Sequence, residues 1–291
     1  MDSEHDKDDD FEEGESDNFK EIEETKFYDI EDEGFERKKI KKDAEIYSTL
    51  ETVFDEKTRL ILFKYIQNGL IHEVGGSIST GKEANVYYCP GNPPLACKIY
   101  RIESPAFRKM KQYVEGDFRF KRYKSSRVGF IQAWAKKEFK NLKRLREVGV
   151  SAPQPIEVER NVLFLEFLGN GERVLPKLID IDLEYPAEIY KQIMEAIKTM
   201  YREAKLVHGD LSPFNILFNT EERKYYIIDV SQSVLNDHPE ADTFLLKDLT
   251  NMNNYFESCG VKVIELRRLY KWITGEDVDE GKILRLKHDL K

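Results

Sequence analysis

Cysteine is scarce: Cys89, Cys97 and Cys259 are the only three in 291 residues, and no Cys-x-x-Cys or Cys/His cluster accompanies them. An odd, scattered set excludes a disulfide framework and a thiolate metal site, and it fits a reducing compartment. Long apolar runs are missing too; none approaches the ~18 residues a membrane helix requires. The N-terminus has neither a basic nor an apolar leader segment, so the sequence predicts a cytoplasmic protein with no membrane partner. Internal repeats and long Gly/Ser linkers are also lacking. Positive charge is nearly absent from residues 1–36, which hold 18 Asp and Glu against 3 Lys. The whole chain carries −9, so the remainder, freed of the tail's −15, is net basic at +6.

That acidic start, residues 1–42, holds isolated aromatics such as Phe11 and Phe27 but cannot bury enough surface to offset chain entropy, and it predicts a disordered tail. Residues 43–70 read as a helical extension: Leu60, Phe63, Ile66 and Leu70 recur at helical spacing, with Asp55 as cap and Asn68-Gly69 as stop. Strand-like pieces come next at Ile71–Ile78, Ala84–Cys89 and Leu95–Tyr100, the last two joined by a Gly-Asn-Pro-Pro turn. Phe130–Val148 and Ala187–Ala204 read as long helices, with short strands at Ile156–Val158, Val162–Phe167, Ile216–Phe218 and Tyr225–Ile228. Sheet first and helices later predicts an α+β fold in two lobes, residues 71–168 and 169–291.

The strongest chemical signal is His208-Gly209-Asp210-Leu211-Ser212-Pro213-Phe214-Asn215, followed by Asp229 at the end of an apolar strand. An Asp, an Asn five positions on and a later strand-end Asp match the order that protein kinases use in H-R-D-x-x-x-x-N and D-F-G. Phosphoryl transfer from ATP needs a carboxylate beside the attacking hydroxyl and hard oxygen ligands for Mg²⁺. Asp210 fits the first role as catalytic base, and Asn215 with Asp229 fits the second. A lone H-x-D would be an ordinary turn; the complete ordered set is far harder to explain that way.

Upstream, Lys98 stands near the end of an apolar strand, where kinases place the lysine that holds the α and β phosphates. On the helix over Phe130–Val148, Glu138 lies on the apolar stripe of Ile131, Trp134, Leu142 and Leu145, with no cation at i±3 or i±4. A carboxylate there must face water or receive a cation from elsewhere, and Lys98 is the natural one. Gly76 to Glu83 nearly matches a Walker A loop, but Glu83 replaces the Mg²⁺-binding hydroxyl and a strand succeeds it instead of a helix. The better reading is a glycine-rich hairpin, with Ser79, Gly81 and Lys82 toward the phosphates. Phe164 to Gly169 reads as the hinge between lobes, where backbone groups of Glu166 and Leu168 would meet an adenine edge.

These residues resemble the RIO family of atypical serine/threonine protein kinases, within it the type-one branch, and an archaeal-type member. The likeness rests on Ser79-Thr-Gly-Lys-Glu-Ala-Asn-Val86, the strand end at Lys98-Ile-Tyr-Arg, Tyr113-Val-Glu-Gly-Asp117, Trp134-Ala-Lys-Lys-Glu138-Phe-Lys-Asn-Leu142, His208-Gly-Asp-Leu-Ser212 and Ile228-Asp229-Val-Ser-Gln-Ser233. It covers most of residues 70–260. The resemblance implies a two-lobed kinase-like fold: an antiparallel N-lobe sheet with one helix, and a reduced helical C-lobe lacking an activation loop and peptide-substrate subdomains. It implies ATP with Mg²⁺, or Mn²⁺ in its place, serine autophosphorylation or ATP hydrolysis, and work in small-ribosomal-subunit maturation. It also implies that Asp229 can accept a phosphoryl group. Gly209 replacing the usual arginine and the lack of Ala-Pro-Glu agree with it. Pro213-Phe214, where the family carries an acidic-aromatic pair, does not.

Residues 108–127 carry eight Lys and Arg against two acids. Lys136, Lys137, Lys140, Lys143, Arg144 and Arg146 extend that charge along the adjoining helix, and Phe118, Phe120 and Tyr123 lie within the segment. Such a patch could bind ribosomal RNA or a pre-ribosomal small subunit; the bland alternative is a solvated loop. Ser104, Ser125 and Ser126 are candidate autophosphorylation sites, and no protein substrate can be named. Two other classes remain open: a small-molecule kinase of the aminoglycoside or choline type, and an assembly factor that uses ATP only as a conformational switch.

Overall fold

The computed structural model describes residues 54–103, 107–114, 117, 119, 126–278 and 281. The acidic tail over 1–42, the start of the predicted helical extension, Ser104, Ser125, Phe118, Phe120 and Tyr123 lie outside them.

Helix α1 (Glu56–Gln67) begins where the Asp55 side chain accepts the Thr58 N–H, as its capping position predicts. After it comes a five-stranded antiparallel sheet, built from β1 (Ser77–Thr80), β2 (Ala84–Cys89), β3 (Leu95–Tyr100), β4 (Pro155–Glu159) and β5 (Val162–Glu166) in the order β1-β2-β3-β5-β4. The first strand is shorter and later than the expected Ile71–Ile78. Only Ile71 of its leading half is fully buried, while His72 and Gly75 make single hydrogen bonds to Pro90 and Tyr88 rather than a ladder. Strand β3 lies at the sheet's centre and is buried along its whole length, which explains its unbroken run of apolar residues around Lys98.

Between β3 and β4 come a short helix α2 (Phe107–Lys111) and the long helix α3 (Arg127–Glu147), whose Ser126 side chain caps the Gly129 N–H. Trp134, Ala135, Leu142 and Leu145 of α3 have no exposure. Lys137 is buried as well, so the charged face expected along this helix does not include it. A small hairpin, β6 (Gly169–Asn170) with β7 (Arg173–Val174), leads into the second half.

There α4 (Pro186–Arg202), α5 (Ala241–Ser258) and α6 (Leu266–Thr274) pack together. Ile189, Ile193, Met194, Ile197 and Met200 form the buried face of α4. Two small antiparallel pairs complete the half: β8 (Leu206–Val207) with β11 (Val234–Leu235), and β9 (Ile216–Asn219) with β10 (Lys224–Ile227). The sheet with helix α3, succeeded by a helical half, is the kinase-like two-lobed α+β architecture. After Asp229 the chain makes one 3₁₀ turn and the short β11 before α5 begins at Ala241, which leaves no room for a long activation segment. No described helix is long and apolar enough to cross a membrane.

Candidate active site

A cleft of about 570 Å³ runs between the sheet and the helical half. Ser79, Gly81, Lys82, Lys98, Glu138, Glu166, Leu168, Asn215 and Asp229 all line it. Sequence reasoning named each of these residues, and the fold brings them to one place from separate segments of both halves. Asp210 is not in the cleft wall; it joins the site through Asn215, whose Nδ2 donates to the Asp210 carbonyl at 2.9 Å.

The roof is the β1–β2 hairpin. Gly81 donates its N–H to the Ala84 carbonyl at 2.9 Å, closing the tight connection between the strands. Glu83 points its charge into the acidic part of the site: burial, then repulsion from Asp229, pushes its carboxyl up to about 7 against the pull of Lys98. At the hinge, the Glu166 side chain accepts the Gln154 N–H at 2.9 Å, leaving the strand end fixed from its side-chain side.

Lys98 is the junction of the site. Strand β3 aims its side chain between the lobes, and Nζ stands 2.9 Å from Glu138 Oε1 and 2.9 Å from Asp229 Oδ1. Burial opposes a charge here, but Asp229 and Glu138 outweigh it and hold the ammonium above its usual range. Glu138 is 1% exposed, and burial raises its carboxyl to about 7 even with Lys98 alongside, because Asp229 shares the same cation. Asp229 is raised by its partial burial yet ends below the usual carboxylate range, since Lys98 and the Ser231 hydroxyl, donating at 2.9 Å, favour the anion.

Asp229 occupies the left-handed region at φ 59°, unusual for a residue with a side chain though tolerated by Asp. Helix α3 holds the segment just beyond it, from Val230 to Ser233. Lys137 Nζ donates to the Ser231 and Ser233 carbonyls, and Asn141 Nδ2 donates to those of Val230 and Ser233. Asn141 Oδ1 in turn accepts Arg119, which pairs with the buried Asp117 at 2.6 Å. Burial, with the nearby Arg119 adding to it, pushes the Lys137 ammonium well below its ordinary value.

The loop around Asp210 is held by its backbone. Asp248 on α5 accepts the N–H of Gly209 at 2.8 Å and of Leu211 at 2.7 Å, gripping the chain on both sides of Asp210. Burial raises the Asp248 carboxyl to about 6, with His208 and the two N–H groups acting against it. Asp210 N–H donates to His208 Nδ1, so this network assigns the ring proton to Nε2, which donates to the Ile228 carbonyl at 3.1 Å. Gly209 has φ +83°, and a Cβ there would meet the Gln232 carbonyl at 3.2 Å and the Tyr113 ring at 3.4 Å. That geometry explains glycine where most kinases carry arginine. Lys247, also on α5, places Nζ 3.2 Å from Asp210 Oδ1.

Four of these residues escaped sequence reasoning: Lys137, Asn141, Lys247 and Asp248. Asp248 had a signal, since it interrupts the buried stripe of Leu245, Leu249 and Met252 on α5. Lys137 and Asn141 had a weaker one, as polar residues four apart beside the buried Glu138.

The site's donors are a carboxylate and an amide. With the Asn215 NH₂ committed to Asp210, its carbonyl oxygen is left to bind a ligand beside the half-exposed Asp229, a hard-oxygen set that suits Mg²⁺ and not a thiophilic ion.

The chain resembles known proteins over this whole region. A family model described as the RIO domain matches residues 85–269. The serine/threonine-protein kinase RIO1 of Caenorhabditis elegans is 42% identical over 81% of this chain and 47% of its own length, and the human RIO1 is 38% identical over 83% and 44%. The chain thus spans about half the length of these relatives. The RIO-type kinase Rio1 of Haloferax volcanii is 38% identical over 82% of both chains. Among solved structures, the Rio2 kinase of Chaetomium thermophilum in its ADP/Mg²⁺-phosphoaspartate complex shares the fold at TM-score 0.58, with 22% identity, over 80% of this chain and 73% of that one. The chain belongs to the RIO family of serine/threonine protein kinases.

Proposed function

We propose that this chain binds ATP with Mg²⁺ and transfers the terminal phosphoryl group to serine, including its own, in the service of small-ribosomal-subunit maturation. The observation that carries this reading is the convergence at Lys98: a sheet lysine, a helix glutamate and a loop aspartate meet within 2.9 Å on the wall of a cleft that Asn215 also lines. In this reading Lys98 holds the α and β phosphates, Glu138 fixes Lys98, and the adenine edge rests against the Glu166–Leu168 backbone. Ser79, Gly81 and Lys82 cover the phosphates. Asp210 receives the proton of the attacking hydroxyl, and Asn215 with Asp229 holds Mg²⁺, which supplies charge neutralisation at the phosphates. Mn²⁺ has the same ligand preference and can replace it.

The half-exposed Asp229 carboxylate supports a second route, hydrolysis. One of its oxygens attacks the terminal phosphorus, ADP departs with the bridging-oxygen electron pair, and water then cleaves the acyl phosphate to inorganic phosphate. The Rio2 complex of Chaetomium thermophilum contains a phosphoaspartate, which favours this route here.

Incubating the full chain with terminally labelled ATP and Mg²⁺ tests both. Hydroxylamine-stable label denotes serine ester and hydroxylamine-labile label denotes aspartyl phosphate. Asp210→Ala is expected to lose serine labelling by at least about 100-fold while still binding nucleotide, the scale of general-base loss. Asp229→Ala is expected to lose both labels. Wild-type turnover in Asp229→Ala refutes the metal assignment. Transfer to aminoglycosides but not protein selects the small-molecule alternative, and nucleotide binding without any turnover selects the switch. Stimulation of turnover by pre-ribosomal particles and not by total RNA supports the ribosomal role.

A further inference from the structure

Between Asp210 and Asn215 the loop reads Leu-Ser-Pro-Phe and supplies no cation. Lys98 pairs with Glu138 and Asp229, and the phosphates assigned to it are the α and β ones, not the terminal one. A carboxylate left alone next to an arriving triphosphate would be repelled by it, at a cost that grows as water leaves the cleft.

Helix α5 supplies the missing charge. Three of its residues touch the same short loop: Asp248 takes the two N–H groups flanking Asp210, Asn251 donates to the Leu211 carbonyl at 3.0 Å, and Lys247 reaches the Asp210 carboxylate at 3.2 Å. Two backbone contacts and one amide therefore fix the helix register against the loop, so the Lys247 backbone cannot drift and only its side chain can move. That side chain is 38% exposed and its partner 42%. A pair so screened binds weakly, and exchanging one oxygen for another costs little.

We propose that Lys247 is a catalytic residue: its ammonium holds the Asp210 carboxylate toward the acceptor hydroxyl and contacts the phosphoryl group in transit. This rests on the phosphotransfer reading of the site. The hydroxyl oxygen bonds to the terminal phosphorus, the bond to the β,γ-bridging oxygen breaks with its electron pair leaving on ADP, and the hydroxyl proton passes to Asp210. Lys247 stays protonated throughout. It offsets charge at two places that both become crowded with oxygen as the acceptor closes in.

The test compares Lys247→Met, Lys247→Arg and Asp210→Ala in the full chain, measuring phosphoryl transfer, affinity for a fluorescent ATP analogue and thermal unfolding. Lys247→Met is expected to lower kcat by about 100-fold, the scale of one lost transition-state donor, with KM for ATP within about 2-fold. Lys247→Arg is expected to recover most of that loss with the same unfolding temperature. Wild-type kcat in Lys247→Met beside an inactive Asp210→Ala overturns the proposal and leaves the base assignment standing. Wild-type kcat in Asp210→Ala overturns the base assignment itself. A raised KM with unchanged kcat, or an arginine variant as slow as the methionine one, also overturns the role claimed for Lys247.

Discussion

Two lysine–carboxylate contacts belong to the site, one in the cleft wall and one on the Asp210 loop, and their distances hardly differ: 2.8 Å for Lys98 with Glu138, 3.2 Å for Lys247 with Asp210. Their surroundings could hardly differ more. Lys98 and Glu138 side chains are 10% and 1% exposed, whereas those of Lys247 and Asp210 are 38% and 42% exposed. Distance therefore does not rank them. In the buried pair both charges have surrendered their water, so removing Lys98 leaves Glu138 an uncompensated ion, whereas Lys98 without Glu138 still has Asp229. In the open pair, water can replace either partner at once. The first contact holds a lobe together, and the second is free to change partners.

Removing Lys98 should break this contrast most severely. Lys98→Ala strands Glu138 and is expected to destabilise the fold by about 3–5 kcal/mol near neutral pH, read by denaturant unfolding. Glu138→Gln should cost less, because Lys98 keeps Asp229 at 2.9 Å. Glu138 sets the sign of the pH dependence. Its carboxyl titrates near 7 in the folded protein against an ordinary 4.5, and losing Lys98 raises it further. A carboxyl raised on folding costs stability above its unfolded pKa, and the cost disappears as pH falls toward that value. The deficit of Lys98→Ala against the wild type should thus shrink between pH 8 and pH 5. A deficit that stays flat would mean Glu138 is not the stranded group.

The sequence allowed Lys98 and Glu138 to be paired in advance because burial made a physical demand: an apolar stripe carried a carboxylate with no neighbour on its own helix. Asp210, Asn215 and Asp229 were legible through order and spacing. Strand and helix positions emerged from periodicity wherever one face was buried, and they failed at Ile71–Gly76, where the chain touches Pro90 and Tyr88 only through scattered hydrogen bonds and buries Ile71 alone. Lys137 was misread as surface charge because, in a basic run, nothing local distinguishes a lysine pointing into the loop after Asp229 from its solvated neighbours. Lys247, the lone cation of α5, was invisible for a different reason: nothing on its own helix marks it as reaching the Asp210 loop. The position of a distant loop selects both, and no local pattern records it.

Lys137 sharpens the contrast from a third direction, as a buried lysine that neutral carbonyls hold. Lys137→Met removes the donor serving Ser231 and Ser233 while retaining most of the volume. Asn141 still reaches Ser233, so one carbonyl loses its partner outright and the other keeps a substitute. The expected loss is about 1–3 kcal/mol, that of a buried acceptor left unsatisfied. It should come with weakened Mg²⁺-dependent turnover, since the disturbed segment begins next to Asp229. Unchanged unfolding would show that the α3 contacts adapt to the loop rather than hold it.

The smallest effect belongs to the open pair, and it decides whether the contrast is real. Lys247→Met should change stability by less than about 1 kcal/mol, the usual worth of an exposed ion pair. Whatever it does change should fade in 1 M salt, where the screening length drops to about 3 Å. The effect of Lys98→Ala should survive the same salt, because ions cannot enter a site whose carboxylate is 1% exposed. If Lys247→Met instead costs several kcal/mol and resists salt, the ammonium is a strut for the Asp210 loop. It would then be as immobile as Lys98, and the idea that its ammonium also reaches a phosphoryl oxygen would lose its physical basis.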